Sequence, residues 1–164
     1  MPDITGAWYI AEDNPADVIS QVGGAIDLAN PVQETLNELF LVEGYVPYLG
    51  QADHIGHRKV FFRNEGNTLT QAVAFWQDLE HAEQYDFAFE KSADDTTTDE
   101  ATEPAGYLTG DWHNDIGLIN GISLPGDMTG NEALGFWLRR TIPAGISPDT
   151  GAFANLAVAG VVSA

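Results

Sequence analysis

The sequence predicts an all-β chain: an antiparallel β-sandwich, immunoglobulin-like or jelly-roll-like, with long loops and one short helix. Three observations predict it. Short aromatic and β-branched runs alternate with a period of two. Clusters of Gly, Pro, Asn and Asp separate these runs and supply turns. No helical period intervenes between them, so the crossovers that a parallel α/β sheet needs are missing. At 164 residues the chain is long enough for one buried core and reads as a single domain, 1–164, with a less regular segment over about residues 1–50. A hydrophobic fraction of 44%, with four Trp, five Tyr and eight Phe, supplies the apolar surface that a disordered chain lacks.

Residues 7–11 (AWYIA) fit an edge strand. Residues 22–28 contain Gly23 and Gly24 and suit a loop or bulge more than a strand centre. At Asn30-Pro31-Val32-Gln33 an N-cap, a proline at the first helical position and a capping-box Gln coincide. Val32, Leu36, Leu39 and Phe40 follow in helical phase, which predicts the short helix. Residues 58–64 (RKVFFRN) and 69–77 (LTQAVAFWQ) flank the turn cluster Glu65-Gly66-Asn67 and read as a hairpin. Period two puts Leu69, Gln71, Val73 and Phe75 on one face of the second strand and Thr70, Ala72, Ala74 and Trp76 on the other.

In residues 85–91 (YDFAFEK), Tyr85, Phe87 and Phe89 share one face and Asp86, Ala88 and Glu90 share the other, which predicts one wet side. Residues 92–103 carry no apolar period and read as a solvated loop; 117–130, with Gly121, Pro125-Gly126 and Gly130, is also loop-like. In residues 134–142 (LGFWLRRTI), Leu134, Phe136, Leu138 and Ile142 point inward and Trp137 and Arg139 outward. Residues 153–162 (FANLAVAGVV) form the last strand, with Leu156, Val158 and Val162 in phase.

Twenty-five acids against six bases give a formal charge of −19. Such a surface repels itself in dilute buffer and is relieved where the Debye length shrinks to about 3 Å at molar salt, so a halophilic source is expected. Nucleic-acid binding requires Lys and Arg to displace counterions from phosphates, and the chain has too few, which excludes direct contact. The absence of cysteine removes disulfides, thiolate metal sites and a Cys nucleophile. The start Met1-Pro2-Asp3 is not that of a signal peptide, and the longest apolar run, around 153–162, is too short to span a bilayer, so no membrane role is expected.

With so many acids, paired carboxylates arise by chance and say little about acid–base chemistry. Neither G-x-S-x-G, H-E-x-x-H, a phosphate-binding Gly loop nor a dinucleotide fingerprint occurs, and the chain is read as a non-enzyme without a cofactor. His54 and His57 have a spacing that metal-binding imidazoles use on a helix, but Asp53 and Gly56 place them in a surface turn. Asp111, His113 and Asp115 alternate and would face one cation in an extended chain; an Asp/Asn-rich turn with Trp112 tucked into the core accounts for them as well. No metal is expected at either place.

Five of the six bases fall in two strands: Arg58, Lys59 and Arg63 in one, Arg139 and Arg140 in the other. Lys59, Phe61 and Arg63 share a face, as do Trp137 and Arg139. Arg interleaved with aromatics is the composition of interface hot spots, so Arg58, Lys59, Phe61, Arg63, Trp137, Arg139 and Arg140 form the candidate interface. Cross-strand ion pairs with the chain's own acids would explain the same pattern.

The stretches HRKVFFRNEGNTLTQAVAFW and LGFWLRRTIPAG resemble a group of small β-sandwich virion structural proteins of tailed phages and archaeal tailed viruses. The most specific part is Trp137 to Gly145, matching Trp-x-Arg-Arg-Thr-x-Pro-Ala-Gly; Gly23-Gly24-Ala25-Ile26 and Asn37-Glu38-Leu39-Phe40 add weaker matches within residues 21–164. The acidic 92–103 and the Gly-rich 117–130 segments depart from the group. The resemblance implies a virion component, and the acidic composition a haloarchaeal virus. Its expected partners are other capsid or tail proteins, with homo-oligomers in the particle, as head decoration, turret, tail or baseplate. The alternative is a surface or carbohydrate-binding β-sandwich with Trp8, Tyr9, Trp76 or Trp112 stacking on sugars.

Overall fold

The structure is a computed structural model; it describes residues 4–11, 22–32, 53–79, 84–90, 97–98, 104, 108–114, 117–144 and 154–163. The strands are β1 Gly6–Ala11, β2 Val22–Gly23, β3 Ile26–Pro31, β4 His54–Asn64, β5 Leu69–Leu79, β6 Tyr85–Glu90, β7 Thr97–Thr98, β8 Leu108–His113, β9 Ile122–Ser123, β10 Ala133–Ile142 and β11 Ala154–Val162. A six-stranded antiparallel sheet runs β3-β1-β4-β10-β6-β8, a three-stranded one runs β11-β5-β9, and β2 pairs with β7. The class is the all-β sandwich that the alternation predicts.

The core lies between the two main sheets. From the large sheet come Val60, Phe62, Tyr85, Phe87, Phe89, Phe136 and Leu138, and from the small one Leu69, Ala72, Ala74, Trp76 and Leu156. Each fully buried large side chain stabilises by about 1.5–3 kcal/mol. The rings meet edge-on: Phe89 and Phe136 stand 5.3 Å apart at 66°, Trp76 and Phe87 5.9 Å apart at 74°. This is the geometry that ring quadrupoles prefer. Leu156 is buried on β11, and Val158 and Val162 pack against the core in the expected phase.

β4 and β5 do not form a hairpin: they lie in different sheets. The Asn64 N–H donates to Glu132 O and its C=O accepts from Asn131 N, while Leu69 exchanges both of its bonds with Met128. With the groups on both sides of the turn taken by the segment before β10, the chain bends through a corner. The phase of β5 also breaks. Gln71 has φ 50°, and between Ala159↔Val73 and Val161↔Thr70 β5 carries one residue more than β11. This bulge turns Leu69 onto the core face with Ala72, Ala74 and Trp76.

The wet side expected for β6 is mostly dry: Ala88 and Glu90 are buried, and only Asp86 is partly exposed. Trp137 does point away from the inter-sheet core, yet it too is buried. β1 is no edge strand, since β3 lies outside it. Asn30 and Pro31 belong to β3, where an edge position suits a residue lacking an N–H, and the Val32 N–H donates to Trp8 O. The predicted helix therefore does not start there; its remainder lies outside the described residues. Gly23 and Gly24, at φ 120° and 83°, turn the chain between β2 and β3. Within 92–103 only β7 is described, as a strand paired with β2. The 117–130 segment is built into the fold, with a 3-10 turn at Leu118–Asn120, β9, and buried Leu124 and Met128.

Candidate interaction surface

The seven predicted interface residues divide between the two faces of β4 and β10. Lys59, Phe61, Arg63, Trp137 and Arg139 lie on the outer face, away from the small sheet; Arg58 and Arg140 alternate with them and turn inward. Lys59, Phe61 and Trp137 are 0–2% exposed, and Arg58 and Arg140 are at 3% and 2%. Only the Arg63 and Arg139 side chains reach solvent appreciably, at 24% and 26%.

Lys59 and Glu90 meet across β10. Their strands flank it, and at the crossing point β10 has Gly135, where a Cβ would come within 2.9 Å of Glu90 Cβ and 3.3 Å of Lys59 Cε. The glycine leaves room for the two long side chains to close to 3.5 Å. The ammonium also donates to Gly24 O at 3.0 Å and sits 4.9 Å over the Phe61 ring. Toward the far end of β10, Arg139 donates through Nε and Nη2 to Asp86 Oδ2 at 2.9 and 2.8 Å. Its guanidinium lies 4.5 Å over Trp112, and the His57 ring is 5.7 Å from the same indole. Inside, Arg58 donates to its neighbour's carbonyl, His57 O, and Arg140 lies 5.2 Å over Tyr85. Cross-strand ion pairs and cation–π contacts within the chain thus engage these bases.

At the other end Arg63 donates to Asn131 Oδ1 at 2.8 Å and pairs with Glu65, which also accepts the Tyr9 hydroxyl at 2.6 Å. That bond to a carboxylate holds the phenol protonated and raises its pKa above 10.0. Because the folded value is the higher one, the bond's contribution to stability is whole below pH 10 and is lost as pH rises through the folded pKa. Ultraviolet titration should show a late tyrosine that is missing in Tyr9→Phe and shifted down toward the ordinary value in Glu65→Gln; an unchanged titration in Glu65→Gln would refute the assignment.

His54 and His57 stand in β4, not in a turn. Trp112 is half-buried on the outer face, and His113 stacks on Phe87 at 5.7 Å; Asp115 lies outside the described residues. Among the described residues no group of three or more His, Asp or Glu is placed to hold a metal, and no helix is long and apolar enough to cross a membrane.

One feature that a strand-by-strand reading misses is how charge divides between the sheets. Asp27, Arg58, Lys59, Arg63, Asp86, Glu90, Asp111, Arg139 and Arg140 all stand on the large sheet. The three strands of the small sheet carry only Asp78, near the end of β5. Val161 on this sheet, and Leu118 and Ile119 beside it, are 54%, 57% and 95% exposed. The signal was present as three uncharged runs, 66–77, 116–126 and 150–164, but only the fold brings them together. No family model matches the chain, nor does any curated protein or solved structure.

Proposed function

We propose that this protein is a structural component of a halophilic tailed virus, working by protein–protein assembly as a capsid decoration, turret, tail or baseplate subunit. The observation that carries the assembly part is the small sheet, charged only at Asp78, with Val161, Leu118 and Ile119 exposed on or beside it, in a chain whose net charge is −19. Uncharged, partly apolar surface on so acidic a molecule is where a partner loses the least hydration on docking. The virion part rests on the resemblance of the β4–β5 corner and of β10, which are scaffold elements and not the contact surface. Binding of sugars gains no support: Trp76 is buried, Trp8 packs edge-on against Phe62 and Phe136, Tyr9 is bound to Glu65, and Arg139 covers Trp112.

Quantitative mass spectrometry of gradient-purified particles kept at high salt tests the proposal, with copy number scaled to the major capsid protein. Copies on the order of hundreds would mean head decoration, and tens or fewer a vertex, tail or baseplate position, since symmetry fixes the stoichiometry of each. Absence from the particles would overturn the virion reading.

A further inference from the structure

The two main sheets end in four edges, and three of them are guarded against further pairing. β3 carries Asp27 and Pro31, β8 carries Asp111, and β9 is two residues long. Charges, proline and shortness are the usual means of keeping an edge from recruiting another strand. β11 has none of them. Its nine residues, ANLAVAGVV, contain neither a charge nor a proline, and it pairs with β5 alone among the described residues. Both irregularities of the β11–β5 ladder put the extra residue on β5, so β11 itself stays continuous. Every second residue of β11 therefore turns its N–H and C=O outward from the sheet.

We infer that β11 is a homodimerisation strand, pairing antiparallel with β11 of a second copy about a two-fold axis and joining two three-stranded sheets into one of six. The inference rests on the assembly reading and names the partner for that surface. An unguarded edge meets copies of its own chain first, and two identical strands match each other about a two-fold axis, which selects a second copy. Two chains of −19 repel over most approaches, and the uncharged run 150–164, the longest in the sequence, contains the whole of β11. Pairing here puts no charged side chain of either strand at the seam and satisfies the edge with backbone hydrogen bonds. A two-fold contact is self-complementary and closed, so it ends at a dimer and does not grow into a fibre. Val161, already 54% exposed, would lie beside the seam.

Sedimentation equilibrium of the full chain tests this, in molar KCl and in dilute buffer. The expected result is a dimer that tightens with salt, as screening removes the repulsion between copies. Val161→Asp puts a carboxylate beside the seam in each copy and should weaken the dimer at least about tenfold. Thermal unfolding of the monomer should stay nearly unchanged, because the site is on the surface. Amide exchange should protect alternate β11 residues facing away from β5 at dimer concentrations and release them on dilution. A monomer at all concentrations overturns the inference, as does a dimer indifferent to Val161→Asp whose outward β11 amides exchange freely. A monomer still found in particles would overturn self-pairing alone, whereas a dimer absent from particles would overturn the virion reading alone.

Discussion

Replacing Lys59 by Met should destabilise the protein by about 3–5 kcal/mol, the range for removing one partner of a buried ion pair. Both side chains are out of water, at 0% and 1% exposure, with 3.5 Å between Nζ and Oε2. Methionine keeps most of the apolar stem but leaves the Glu90 carboxylate buried without its ammonium. The Gly24 carbonyl loses a charge-assisted donor as well. The double variant Lys59→Met/Glu90→Leu removes both charges and should recover most of the loss, since a buried pair is often matched by apolar residues of similar volume. Denaturant unfolding at molar salt measures the difference; salt screens surface charge and leaves a buried pair largely intact. A single variant within about 1 kcal/mol of the parent, the scale of an exposed pair, would show that the two charges are not held in a dry site.

That pair marks where the sequence stops being legible. β4, β5, β6, β10 and β11 are readable because aromatic and β-branched residues alternate along each of them, a pattern internal to the strand. Pairing between strands is not internal. Glu90 alternates with Phe87 and Phe89 and so reads as solvated; its partner is on β4, across β10, and Gly135 between them reads merely as a weak strand residue. The same limit explains the seven interface candidates. Arg beside an aromatic looks alike at a hot spot and in a cross-strand ion pair, and only the neighbouring Asp86 identifies what Arg139 binds here. Gln71 shows a second kind of illegibility: one residue in a bulge reverses every later inside–outside assignment of β5, and a glutamine gives no warning of φ 50°. The uncharged runs were visible, but nothing in a linear sequence says that 66–77, 116–126 and 150–164 meet in one sheet.

Replacing Asn64 by Ala should cost about 2–4 kcal/mol, because a buried amide and the half-buried groups around it lose their bonds, and stranding such a group costs about 1–3 kcal/mol. Asn64 closes β4 at 2% exposure. Its Nδ2 donates to Asn67 O at 2.8 Å, Met128 O at 2.9 Å and Thr129 O at 3.2 Å, and its Oδ1 accepts from Gly66 N at 3.1 Å. One amide thereby ties the turn after β4 to the segment leading into β10, and so sends the chain across to the small sheet. Asn64→Asp separates shape from donation: it keeps the acceptor for Gly66 but turns carboxylate oxygens toward three carbonyls, so it should destabilise at least as much as alanine does. Its deficit should shrink as pH falls, because the protonated acid regains one donor. An Asn64→Asp protein as stable as the parent at neutral pH would refute the role given to the amide donors. Equal deficits for alanine and aspartate at low pH would show that packing alone matters at the corner.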